Sequence, residues 1–137
     1  MSPVQKTTGA KGRADRLWAE VVKIANYCIS CGSTDRLHAH HIISRRYNRT
    51  RHLVDNGVPL CHSCHARYHD DPVFATGVID RSIGRERYEQ LRLMAIGVCR
   101  MRESDWVRIA DELKVERDRL KAVLEKNLPG YPKPAAS

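Results

Sequence analysis

The sequence predicts a small α+β protein, and three observations carry that prediction. Apolar residues recur at helical spacing near the N-terminus and again in the C-terminal half. Two short, part-apolar runs flank the turn signal Asp55-Asn56-Gly57. Two Cys-x-x-Cys pairs bracket those runs. A chain of 137 residues suits one domain with a small appendage. The only Phe is Phe74, so the core is expected to be mainly aliphatic.

Residues 1–12 are polar and include Gly9 and Gly12; they read as a disordered basic N-terminus. Residues 13–26 place Leu17, Val21 and Ile24 at helical spacing, with Trp18 and Val22 beside them, which predicts an amphipathic helix. A short strand is expected within 35–43. "SRRYNRTRH" (44–52) reads as a basic, turn-rich loop, and residues 58–60 as a second strand. Helices follow over 63–68 and 84–98, the latter with Tyr88, Leu91, Ala95 and Val98 on one stripe. The region 101–128 is helical, with Ser104 as N-cap and Asp105 in the first turn. Trp106, Ile109, Ala110 and Leu113 form one apolar face there, and Leu120, Val123 and Leu124 another. Val115 falls off the phase of both. This pattern resembles a helix-turn-helix with Ala110 at the close-packed position, but Lys114 stands where the turn usually has Gly. A single long helix that packs on the core or dimerises is the alternative. Residues 129–137 read as a disordered tail.

The formal net charge is +8, which favours a polyanionic partner: nucleic acid first, an anionic membrane surface second. The N-terminus lacks the apolar core of a secretory signal, and no apolar run reaches membrane-spanning length. A cytoplasmic location is therefore expected, where paired cysteines hold metal more often than they form disulfides. Cys28 and Cys31 form one knuckle, Cys61 and Cys64 another, and residues 32–60 lie between. Two residues between cysteines let both thiolates reach one tetrahedral Zn²⁺ at about 2.3 Å, so two pairs close a four-cysteine structural site. Two redox-active pairs are the alternative reading. Cys99 lies outside the pattern and is expected as a buried thiol in its helix.

The segment between the knuckles contains "HAHHI" (38–42), and His65 and His69 lie just past the second knuckle. Those two are four residues apart, so on a helix they share a face and can grip one ion. His38 reads as a surface or strand side chain rather than a ligand, and His62 as solvent-facing. His52 either touches phosphate or is idle.

His41, Asn56 and His65, framed by the two knuckles, with "AHHI" before and "NGVPLCHSCHARYH" after, resemble the HNH endonuclease family. The resemblance covers about residues 26–70, and the flanking stretches resemble phage-borne HNH proteins. It implies a ββα-metal core, a β-hairpin followed by a helix around a catalytic divalent cation. Here that core would be stapled by the cysteine site and flanked by N- and C-terminal helices, so that 13–100 form the nuclease domain. It implies His41 as general base, His40 as first metal ligand, His65 as closing ligand and His69 as a further ligand in the His-rich version of the site. Many members have Asp where this chain has His40. Asn56 matches the middle residue, which either positions the base or approaches the metal; positioning is favoured, since imidazoles already supply the metal.

The expected chemistry is hydrolysis of DNA phosphodiester bonds by nicking or double-strand cleavage, in the cytoplasm of a bacterial or phage-infected cell. Imidazoles suit Zn²⁺, Ni²⁺ or Mn²⁺ better than Mg²⁺. Arg45, Arg46 or Arg49 is expected to grip phosphate. In a regular strand His40 and His41 point to opposite faces, so both can serve one phosphate only if the strand ends there. Two rival functions remain: a non-catalytic zinc-stabilised DNA-binding module, and a dimeric junction resolvase that acts in recombination.

Overall fold

The computed structural model describes residues 7–126. The elements in chain order are α1 (Gly9–Val22), β1 (Leu37–His41), a one-turn α2 (Asn48–Arg51), a 3-10 turn (Val54–Asn56), β2 (Gly57–Cys61), α3 (His62–Asp70), α4 (Pro72–Ser82), α5 (Gly84–Ala95) and α6 (Glu103–Glu125). The architecture is α+β, an antiparallel hairpin of β1 and β2 set among helices. Among the described residues no helix is long and apolar enough to cross a membrane.

Three apolar clusters hold these elements together. The first joins α1 to α6 through Ala14, Leu17, Trp18, Val22, Ala110 and Leu113. Ion pairs rim it, Arg13 with Asp111 at 3.2 Å and Arg117 with Glu20 at 2.8 Å. The second, under the hairpin, joins Cys28, Val58, Leu60 and Cys61 to Val78 of α4. The third sets Ile43 against Leu91 and Ala95 of α5. Burial of these side chains, rather than helix propensity, holds helices this short.

In the hairpin register His41 faces Gly57 and His40 faces Val58. Gly57 is required there. A Cβ would come within 2.6 Å of Trp18 Cζ2 and would also collide with Val22. The bare backbone at this position lets α1 lie directly on the hairpin.

Several elements depart from expectation. α1 begins at Gly9, inside the stretch expected to be disordered, and ends at Val22 rather than near residue 26. The first turn meets α6 where Lys11 Nζ lies 4.9 Å from the Trp106 ring, and such tertiary contact overrides the weak propensity of "GAKG". Residues 1–6 and the expected tail 129–137 lie outside the described residues. The basic loop contains a helical turn at α2, with Thr50, Arg51 and His52 buried. α4 was not expected at all. Asp71 caps it by accepting from Val73 N and Phe74 N, and Pro72 occupies the first turn. α5 stops at Ala95, so Val98 leaves the stripe and is 87% exposed. Cys99 lies in the following loop, half-buried, not in a helix. The C-terminal region is one helix without a turn at Lys114. It starts at Glu103, so Ser104 is inside it, and Asp105 accepts the Arg102 N–H at 2.8 Å.

Candidate active site

The four knuckle cysteines form one cluster, their sulfurs all within 4.8 Å of one another. Cys31 Sγ and Cys61 Sγ are 3.6 Å apart. Four sulfurs placed tetrahedrally about 2.3 Å from one Zn²⁺ stand about 3.8 Å from each other, so the spacing fits. The first knuckle is a tight turn in which Gly32 N donates to Cys28 O at 2.8 Å, with Gly32 at φ +79°. Burial pushes the Cys28 thiol up, but backbone hydrogen bonds at Cys61, Cys31 and Ser30 outweigh that and bring it down to about 7. Amides arranged to favour a thiolate suit a metal ligand. Arg81 of α4 also donates to Ser30 O at 3.4 Å and braces the knuckle from outside.

The second cluster is built from imidazoles. α3 starts directly after the second knuckle, and His65 and His69 project from one face of it, their Nε2 atoms 3.3 Å apart. His40 of β1 meets them, its ring centroid 4.9 Å from that of His65 and 5.3 Å from that of His69. One nitrogen from each of the three lies within 4.8 Å of the other two. Nitrogens about 2.0–2.1 Å from a tetrahedral ion stand about 3.3 Å apart, the His65–His69 separation. His40 Nε2 is buried without a hydrogen-bond partner, an uncompensated cost unless a cation or donor meets it. Burial, reinforced by the charges of His65 and His69, pushes the His40 imidazole down to about 3. It is neutral at physiological pH, as a ligand must be. These donors fit a divalent cation that accepts nitrogen. Tyr68 of α3 walls the cluster, its ring 4.2 Å from His40.

His41, the last residue of β1, points the other way. Its ring stacks on Trp18 of α1 at 3.9 Å with an interplanar angle of 11°. Its Nε2 lies 3.0 Å from the Arg51 carbonyl oxygen. A carbonyl can only accept, so Nε2 carries the proton and the lone pair is on Nδ1. Burial pushes this imidazole down to about 4, against the raising effect of the Arg51 carbonyl. Both histidines nevertheless line one cleft of about 440 Å³, because α1 walls it on one side and α3 on the other. The strand does end at His41, which resolves the alternation problem.

Asn56 is fully buried, between β2 and the loop that follows β1. Its Oδ1 accepts from Ile43 N at 2.7 Å, while Nδ2 donates to Ile43 O at 3.1 Å and Thr50 O at 2.9 Å. These bonds fix the chain on both sides of the basic loop and engage both polar atoms of the Asn56 side chain. Of the three expected phosphate-gripping arginines, Arg45 lines the histidine cleft. Arg46 is exposed, with its guanidinium over the Tyr47 ring at 5.4 Å. Arg49 lines a separate cavity of about 480 Å³, with His52, Cys99 and α6.

Sequence reasoning missed three residues. Arg51 is only 6% exposed, although it sits in the run read as a basic, turn-rich loop. It donates through Nε and Nη2 to both oxygens of Asp15 in α1, at 2.8 and 2.7 Å. His52, neither idle nor free for phosphate, is buried and donates to the same carboxylate at 2.6 Å. Trp18 was read as a core residue only. His38 adds a ring 4.9 Å from His65, and His62 is exposed as expected.

No curated protein and no solved structure gives a significant match to the chain. One family comparison does, over less than half of the chain, and it takes in both knuckles, the hairpin, Asn56 and α3 but not α1, α5 or α6. Residues 28–71 match the HNH endonuclease family, and the cysteine cluster and the four histidines His40, His41, His65 and His69 all lie within that match.

Proposed function

We propose that the chain is a metal-dependent DNA endonuclease with His41 as its general base. One observation carries this reading. An imidazole whose Nε2 is committed to a backbone carbonyl shares a cleft with three imidazoles arranged for one cation. A structural histidine has no need of that pairing, whereas phosphodiester hydrolysis needs both halves of it.

At neutral pH His41 is uncharged, and its Nδ1 takes a proton from a water beside the phosphate. The oxygen so activated attacks phosphorus, the bond to the 3′-oxygen breaks, and the departing 3′-oxygen takes a proton from solvent. The products are a 5′-phosphate and a 3′-hydroxyl. A divalent cation held by His40, His65 and His69 would act as a Lewis acid towards the phosphate charge. Arg45, in the same cleft, pairs with a non-bridging phosphate oxygen. Asn56 holds the loop that bears Arg45 and Arg51, and a Zn²⁺ held by Cys28, Cys31, Cys61 and Cys64 would tie the first knuckle to the start of α3.

The test is cleavage of supercoiled plasmid by wild type and His41→Ala, with Mg²⁺, Mn²⁺, Ni²⁺ or EDTA. Wild type is expected to nick or linearise the plasmid with at least one ion, and His41→Ala to lose roughly 10²–10⁴ of the rate. If neither protein cuts with any ion while both still shift DNA in a gel, the chain is a binding module and this mechanism is wrong.

A further inference from the structure

We propose that Asp15 is a positioning residue for His41, acting through Arg51, so that α1 is an obligatory wall of the active site. The inference deepens the nuclease reading and rests on it for the role of His41.

The His41 ring is held from two directions. In its plane, Nε2 donates to the Arg51 carbonyl at 3.0 Å. Across its face lies the Trp18 indole at 3.9 Å. The carbonyl sets which ring nitrogen keeps the proton, so its position decides whether Nδ1 is the free base. That carbonyl belongs to the last residue of α2, a four-residue turn with no side-chain cap. A turn of this length does not hold its own geometry. Asn56 anchors Thr50 O, and the Arg51 side chain anchors the residue that bears the carbonyl itself. Its guanidinium is buried in a two-pronged pair with Asp15, and its remaining nitrogen donates to Arg45 O at 3.2 Å. Without Asp15 a buried charge would be left uncompensated, and its route to solvent carries the Arg51 backbone with it.

Asp15 and Trp18 are three residues apart on α1, hence on one face of the helix. One helix therefore reaches the base twice, through a carboxylate that fixes the carbonyl and through a ring that fixes the plane. Both contacts come from outside residues 28–71.

The experiment compares the full-length wild type with Asp15→Asn and Asp15→Glu, each alone and combined with His41→Ala. It reads plasmid-cleavage kinetics and the ring-nitrogen NMR shifts of His41. Asp15→Asn is expected to lower kcat by roughly 10–100-fold, the range for lost outer partners of a site. KM should stay within about twofold, because substrate binding is not what the pair supports. Asp15→Glu, which keeps the charge, recovers part of the rate. In the His41→Ala background Asp15→Asn costs nothing further. The His41 shifts move from a single Nε2–H tautomer to a mixture. If Asp15→Asn fails to fold, Arg51→Lys keeps the charge pair without the fork and should give the same tautomer mixture. An equal rate loss with and without His41, or an unchanged His41 tautomer, overturns the proposal. The two readings fail separately. A wild type that never cuts, but whose His41 tautomer follows Asp15, sinks the nuclease. One that cuts with no response to Asp15 sinks the positioning.

Discussion

His41 lies flat on Trp18, with ring centroids 3.9 Å apart and planes 11° from parallel. The indole is itself clamped, since its Nε1 donates to Leu53 O at 2.8 Å and its body is buried between α1, α6 and the hairpin. The imidazole thus rests on a surface that cannot rotate away.

Gly57 makes that seat possible, and its replacement gives a direct test. Gly57→Ala would place a Cβ within 2.6 Å of Trp18 Cζ2. Overpacking of this kind costs about 1–3 kcal/mol. We expect a lower urea midpoint and slower plasmid cleavage, since any retreat of Trp18 moves the plane under His41. A variant as stable as wild type would show that the contact relaxes freely.

His69 is the exposed member of the imidazole cluster, so its removal should separate metal binding from folding. His69→Ala is expected to weaken Ni²⁺ or Mn²⁺ binding, measured by calorimetry, by on the order of tenfold, about 1.4 kcal/mol. Stability without added metal should change by less than about 0.5 kcal/mol. Unchanged affinity would remove His69 from the ligand set.

Cys31→Ser tests the staple. Its sulfur lies 3.6 Å from that of Cys61, and the cluster beneath, with Cys28, Val58, Leu60 and Val78, is small. Loss of one thiolate should lower bound zinc below one equivalent by atomic absorption. It should also reduce the melting temperature, as should prolonged chelation of wild type. A variant that melts like wild type with no zinc bound would make the cysteines dispensable to the fold.

Acid should act through Asp15. Burial alone would raise its carboxyl pKa, but hydrogen bonds from His52 and Arg51, and the guanidinium's charge, hold it well below the usual carboxylate range. A depressed pKa contributes stability that is complete above the unfolded value, about 3.9, and is lost as pH falls below it. The gap in melting temperature between wild type and Asp15→Asn should therefore be widest near neutral pH and shrink from about pH 5 downwards. A gap independent of pH would mean that the carboxylate's charge contributes nothing.

What was legible in the sequence was local. Cysteines three apart and histidines four apart announce their geometry by spacing alone, and both clusters assemble as those spacings suggest. α4 carried a signal that was overlooked, Asp71-Pro72 as cap and first residue, but its apolar residues form no stripe: Val73 is exposed and Val78 buried. The doubtful turn in the C-terminal region has a plain cause. After Leu113 the helix runs past the cluster it shares with α1, so Val115 breaks phase because it is exposed, with no bend in the chain. Asp15 and Arg51 are 36 positions apart, and each reads as an ordinary surface charge until the tertiary fold buries one against the other.

The contact between α1 and α6 also sets an order of events for a growing chain. Arg13 and Asp111 are separated by 98 positions, whereas Cys31 and Cys61 are separated by 30. The knuckles and hairpin close a short loop and can assemble early. Trp18 gains its full surroundings only when Ala110 and Leu113 have been synthesised. Until the ribosome has delivered α6, the four-cysteine module can be in place while the seat of His41 is unfinished, so the cleft matures late in translation.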